Sequence, residues 1–337
     1  MKTLLRLLLK SQHQRNRSGS AHTEKGMTLV ELLVGSIMAF LIITPMLAFV
    51  VDMLNTDRRE QVKSNTEQDL QAAVDFIAQD LSQAIYIYDG KTLKQIRDQL
   101  PDNGNQNKVP ILVFWKRQLI KKSIPVDASA VKPIQCTQSN PPPCNDAYVS
   151  SLVAYYQFKE PENTWCQPSG NNCPTRIARY EITDGVKNPL TQKYYADSET
   201  TEGQRKKTGF NDKFDFSKPT AEVTDGKFPS PQILVNYIDY TNTPNVPQPP
   251  DCKSVLGVVD PTAAGSTPIN PADLLITDGL THSFYACVDT ARNIARVTIR
   301  GNSLRRLQTN DTDYKEEKSA YFPTATVQVK GLGGLGK

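Results

Sequence analysis

One carboxylate, Glu31, stands at the head of a run of 20 uncharged and mostly apolar residues, Leu32 to Val51. Deep in hydrocarbon an ionised carboxylate costs about 2.5–3.5 kcal/mol on insertion scales, so it calls for a cation. The chain has one close by if it is cut between Gly26 and Met27, because the cut creates an α-amino group on Met27. The amine of the same copy would make an ion pair that only stabilises one chain. The amine of a neighbouring copy would make a contact that is strong and register-specific in a low dielectric.

The second chemistry-bearing set is Cys136, Cys144, Cys166, Cys173, Cys252 and Cys287, all beyond the apolar run. An even number confined to one part of a chain reads as disulfides in an oxidising compartment, and six cysteines allow 15 connectivities. Local spacing favours Cys136–Cys144, closing over Ser139–Pro143, and Cys166–Cys173, closing over Pro168–Gly170. That leaves Cys252–Cys287 to hold distant parts of a sheet together. Zinc is the rival reading, but no C-x-x-C occurs and His282 is the one histidine after residue 26.

Enzyme chemistry has little to stand on. G-x-S-x-G, P-loop, H-E-x-x-H and G-x-G-x-x-G patterns are all missing from the sequence. A triad would need His282 as its base, and Thr281-His282-Ser283 reads more simply as the entrance to a strand. The acidic clusters Asn211–Asp215 and Asn310–Asp313 could hold a structural calcium ion, yet neither has EF-hand spacing. A solvated loop is the simpler reading of each, and no cofactor is expected. Tyr155, Tyr156, Trp165, Tyr194, Tyr195, Tyr237 and Tyr240 could line a sugar-binding surface, although alternation on strands favours packing for most of them.

Charge assigns sides. Residues 1–26 carry six of the 39 basic residues and one of the 35 acidic ones, leaving 33 against 34 beyond them. That near-neutral remainder gives no sign of nucleic-acid binding. A basic segment ahead of an apolar run keeps the N-terminus cytoplasmic and exports the rest of the chain. A secretory signal has its cleavage site after the apolar stretch. A cut after Gly26 would precede it, so the apolar helix would survive such processing.

These groups need elements to position them. A chain of 337 residues holds a membrane element and one large or two small globular units. The expected order is a basic leader at 1–26, a transmembrane helix at 27–51, a helix extension at 52–88, an exported β-rich domain at 89–330 and a flexible tail at 331–337. In the extension Leu70, Ala73, Val74, Ile77, Leu81, Ala84 and Ile85 fall at steps of three and four and form one apolar stripe. Asp69, Asp75, Gln79 and Asp80 fall off it and are expected to face solvent or another subunit. Pro45 is expected to kink or locally melt the helix, and Asp89-Gly90 to end it. Strand patterns lie at 111–115, 151–158, 177–182, 233–240, 283–288, 294–300 and 324–329. The polar stretch 186–230 reads as a surface excursion, and the prolines of 241–268 argue against regular structure there.

Gly26-Met27-Thr28-Leu29-Val30-Glu31 resembles the prepilin cleavage and N-methylation motif of type IV pilins and type II secretion pseudopilins. The likeness covers roughly residues 20 to 85, with Met where Phe is commoner at the first mature position. The helix Leu70–Ala84 resembles that of J-type minor pseudopilins and related minor pilins. The run Gly26–Tyr88 and the ending Tyr321–Lys330 resemble the cyanobacterial hormogonium polysaccharide secretion pseudopilins of the C type. The resemblance implies an α+β, pilin-like fold, a long N-terminal helix packed on an antiparallel sheet. It also implies a minor pseudopilin in an envelope-spanning filament for secretion, of exopolysaccharide on the closer likeness, with associated gliding motility. Its partners would be a prepilin peptidase, other pilin-like subunits and an inner-membrane assembly platform with its ATPase. Glu31 would be the assembly contact, and Gly26 and Met27 the processing site. The alternatives are a minor pilin of a type IV pilus, and a membrane-anchored adhesin or glycan-binding module that uses the helix only as a tether.

Overall fold

The computed structural model describes residues 28–102, 104–159, 166, 173–210, 229–261 and 267–333. The leader with Gly26 and Met27, Trp165, the cluster Asn211–Asp215 and the tail end 334–337 lie outside the described residues. The chain divides into two compact units, Met1–Arg58 and Arg59–Lys337.

In the first unit the described residues form the beginning of helix α1, Leu29–Ser82. Large apolar side chains lie exposed on every face from Leu29 to Leu54. A helix that is apolar all round belongs in a protein core or in a bilayer. This one is long and apolar enough to cross a membrane, a property it shares with signal sequences. It is not melted at Pro45, since α1 runs through that residue unbroken. The ring costs the Leu41 carbonyl its usual donor, a local loss that the surrounding turns absorb. Thr44 Oγ1 donates to the Phe40 carbonyl at 2.8 Å one residue earlier.

In the second unit α1 is amphipathic. Thr66, Leu70, Ala73, Val74, Ile77, Asp80 and Leu81 are buried, so the expected stripe is the packed face. The helix stops at Ser82, short of the expected 88, and strand β1 (Ala84–Ile87) comes next. Ala84 and Ile85 continue the helical spacing, but Ile85-Tyr86-Ile87-Tyr88 is a β-branched and aromatic run that fits a pleated, half-buried surface better. Asp89 then starts a short helix, α2 (Gly90–Ile96), by accepting the Thr92 N–H at 2.8 Å. At Gly90 a Cβ would stand 2.5 Å from the Leu275 carbonyl oxygen, so only glycine fits.

The strands after β1 are β2 (Lys108–Pro125), β3 (Cys144–Phe158), β4 (Thr175–Thr183), β5 (Gln232–Ile238), β6 (Leu275–Thr277), β7 (Phe284–Asp289), β8 (Ile294–Arg300) and β9 (Thr324–Lys330). They make two antiparallel sheets, β1-β2-β3-β4-β5 and β6-β7-β8-β9. The fold is α+β. The buried face of α1 and apolar residues of both sheets share one core, with Phe114, Trp115, Tyr155, Tyr156, Phe158 and Phe284 among its largest members. Buried polar groups join the sheets. Arg300 Nε on β8 donates to Asp239 Oδ2 just past β5 at 3.0 Å, and Gln157 Nε2 on β3 donates to Thr281 Oγ1 and Ser283 Oγ at 3.1 and 3.0 Å.

Both polar stretches hold more structure than their composition suggests. In 186–210, Val186 and Tyr195 are buried against Ala147 and Val149, and Phe210 packs edge-on against Trp115 with ring centroids 5.8 Å apart. In the proline-rich stretch, α3 (Cys252–Leu256) forms because Asp251 caps it and Gly257 takes a left-handed backbone at its end. Helix α4 (Pro271–Leu274) precedes β6.

Candidate functional site at the head of the apolar helix

Thr28 precedes the first helical residue and Glu31 is the third residue of α1, so Thr28-Leu29-Val30-Glu31 has capping-box spacing. The Thr28 hydroxyl accepts the Glu31 N–H at 3.3 Å and lies 3.5 Å from Glu31 Oε2. A carboxylate in the first turn is also favoured by the helix dipole. The spacing T-x-x-E is a signal that the reading of Glu31 as an ion-pairing group alone passes over. Among the described residues no lysine or arginine pairs with Glu31. Around it Leu29, Val30, Leu32, Leu33 and Val34 are all exposed. The arrangement leaves an acidic group open on an apolar surface, able to receive a cation.

A second carboxylate of α1 is placed in the opposite way. Asp80 is buried, not solvent-facing as its position off the apolar stripe predicts. Its Oδ1 pairs with Lys116 Nζ at 2.9 Å, and its Oδ2 accepts from Arg179 Nε and Tyr155 OH, each at 2.7 Å. Glu181 closes the network against Lys116 and Arg179, both at 2.8 Å. Burial alone would push the Glu181 carboxyl up, but Arg179 and Lys116 outweigh it and hold it at about 2. Burial and the nearby Asp80 carboxylate raise the Tyr155 phenol well above its usual range. Every strong group of this set has a partner, so it fastens α1 to β2, β3 and β4.

The cysteines pair as Cys136–Cys144 and Cys166–Cys173, the two pairs that spacing favours, and Cys252–Cys287, the pair they leave. The last ties α3 to β7, so it fixes the proline-rich stretch onto a sheet and does not join two parts of one. The Nδ1 atom of His282 meets the Thr277 hydroxyl at 3.0 Å, and its N–H joins those of Leu280 and Thr281 on Asp278 Oδ1. That is a turn leading into β7. Asp311, in the second of the two acidic clusters, is engaged by Lys315 at 2.8 Å and by Lys318, and the two hold its carboxyl at about 2. Among the described residues no group of three or more His, Cys, Asp or Glu could hold a metal. Tyr155, Tyr156, Tyr195 and Tyr240 are buried. Tyr194 and Tyr237 are partly exposed, with Lys187 and Lys206 over the first ring and Arg306 over the second. No family model, curated protein or solved structure matches the chain.

Proposed function

We propose that the chain is a pilin-like minor subunit, a pseudopilin of an envelope-spanning filament serving secretion, with exopolysaccharide as the cargo class. It is a structural protein without catalysis. A prepilin peptidase cuts between Gly26 and Met27, α1 sits in the inner membrane, and the disulfide-bonded domain is exported. An assembly platform with its ATPase draws the helix into a bundle with other pilin-like subunits. One observation carries this reading: Glu31 opens an all-round apolar helix with no cation from the described residues beside it. In a bilayer such a group calls for a partner, and the amine of an arriving subunit would neutralise it. Buried Asp80, with two cations of its own, supports the contrast.

The test is Glu31→Ala in cells, read by membrane fractionation, N-terminal mass and crosslinking to pilin-like partners. The mutant should stay in the membrane fraction and still be cut after Gly26, while crosslinking falls at least tenfold. Glu31→Asp, whose carboxylate reaches one methylene less far, should be intermediate. Full crosslinking and export in a stably expressed Glu31→Ala strain would overturn the assembly role and favour the anchored binding module.

A further inference from the structure

Beyond the core, β2 and β3 continue as a two-stranded arm. The pairing of β1 to β2 goes no further than Lys116, that of β4 to β3 ends at Ser151, and the β2–β3 register runs on to Pro125 and Cys144. One face of the arm is covered, with Ala147, Val149, Ile120 and Ile124 packed on Val186 and Tyr195. Among the described residues nothing covers the other face. Leu119 and Tyr148 lie directly opposite each other and are 39% and 59% exposed, and the Arg117 guanidinium sits 3.7 Å from the Tyr148 ring centroid. A bulge after Ile120 then puts Lys121 and Lys122 in the open, with the Lys122 N–H held by Asp146 Oδ1 at 2.8 Å. Among the described residues no carboxylate pairs with the side chains of Arg117, Lys121 or Lys122. The surface is apolar at its centre and cationic at its margin.

Its complement lies on the same chain. Glu60, Ser64, Glu67, Gln71 and Asp75 succeed one another at steps of four, three, four and four, giving one exposed polar stripe on α1. In it Glu60 is paired with Lys63 at 2.8 Å, and Glu67 and Asp75 are the acids without a paired cation among the described residues. Glu67 and Asp75 are about 12 Å apart along the helix. Arg117 and Lys121, with the bulge beginning after Ile120, are at most about 13 Å apart along the strand. A copy cannot join the two on itself. Lys116 faces α1 through Asp80, and alternation turns its neighbour Arg117 to the other side of the sheet. We infer that the arm face Arg117–Leu119–Lys121 with Tyr148 docks on the Glu67–Asp75 stripe of a second copy of this chain. Such a contact joins two different surfaces, so each copy of a pair keeps one of them free for a further subunit. The inference rests on the subunit reading for the membrane and bundle that hold the copies, and it makes a second copy of this chain one of the neighbours in that bundle.

Tyr148 replaced by a benzophenone amino acid in the full-length chain in membranes tests it. Irradiation should give an adduct of twice the chain mass, with the crosslink mapped to residues 60–75 of the second copy. Arg117→Glu with Lys121→Glu should cut the yield at least tenfold. Co-expression with a Glu67→Arg, Asp75→Arg copy should restore it. A non-reducing peptide map with all three disulfides shows that each variant is folded. An adduct to another protein or another segment, no adduct from folded chain, or a yield indifferent to the charge swaps would overturn the docking. The Glu31→Ala chain separates the two readings. A Tyr148 adduct that persists there with unchanged helix crosslinking removes the assembly role of Glu31 and leaves the docking. Loss of helix crosslinking in that chain, with no Tyr148 adduct even at wild-type Glu31, does the reverse.

Discussion

Glu31 and Asp80 are carboxylates on one helix, 49 positions apart in the sequence, and both stand among apolar residues. Asp80 finds two cations and a phenol within its own chain. Glu31 finds only the Thr28 hydroxyl among the described residues. The difference separates a charge that the chain neutralises itself from one that the proposed reading leaves to a partner. Around Asp80, desolvation is offset inside the fold, so the network contributes specificity to the seating of α1 on the sheet. Around Glu31 the described residues supply no cation, and under the proposed reading the cost would be offset on association.

The comparison breaks most visibly at Asp80. Asp80→Ala leaves Lys116 and Arg179 buried against a single acid, Glu181. It should destabilise the second unit by about 3–5 kcal/mol, since removing one member strands the opposite charges. Urea unfolding of the full-length chain in detergent measures it. Replacing Asp80, Lys116, Arg179 and Glu181 together by Leu and Met should recover most of the loss, because apolar substitution removes the stranded charges too. A single mutant as stable as wild type would show that the network does not secure α1.

Acid sharpens the same point with a smaller effect. The folded-state value of Glu181, about 2, lies below its ordinary 4.5. A depressed carboxyl contributes stability that is fully present above the unfolded value and is lost as pH falls through the folded one. The loss should therefore run from about pH 4.5 down to about pH 2. Its size is about 2 kcal/mol once the 25% exposure of the side chain is allowed for. Glu181→Gln should flatten that limb of the stability curve, read as the urea midpoint at pH 6 and pH 3. An identical acid limb in the two proteins would assign the loss to other groups.

Legibility in the sequence obeys the same division. Apolar periodicity is local, so the stripe Leu70–Leu81 and the strands around Leu112, Val153, Ile177 and Val297 are readable from spacing. Asp80 is not, because its partners lie 36 and 99 positions away, and a charge beside an apolar stripe looks outward-facing until they are known. The arm is hidden in the same way. Lys116, Arg117, Lys121 and Lys122 make β2 look finished at Trp115, although ten more residues remain paired or bulged in the strand. Ala84 and Ile85 fit both a helical stripe and a strand, and cross-strand pairing of Tyr86 and Ile87 with Trp115 and Phe114 decides for the strand. The Thr28–Glu31 cap is fully legible, being a four-residue spacing, yet an acid ahead of an apolar run draws attention to the charge and away from the hydroxyl.

That cap yields the smallest effect and the finest discrimination. If the work of Glu31 is to start its own helix, Thr28 and Glu31 are two halves of one device, and losing either should cost about the same. Cap substitutions typically cost about 1 kcal/mol, expressed here as fraying of the first turn. Thr28→Ala removes the hydroxyl that accepts the Glu31 N–H at 3.3 Å but leaves the carboxylate, and Thr28→Ser restores the hydroxyl. Hydrogen exchange at the amides of residues 29–32 should rise about fivefold in Thr28→Ala and return in Thr28→Ser, a ratio that corresponds to about 1 kcal/mol. Partner crosslinking should stay within twofold of wild type in both, because the incoming amine still finds its acid. Glu31→Ala should show the converse, a modest change in exchange with crosslinking down at least tenfold. Equal losses of crosslinking in Thr28→Ala and Glu31→Ala would mean that an ordered first turn is what assembly needs. Glu31 would then be a cap like any other, and its contrast with Asp80 would reduce to one of burial.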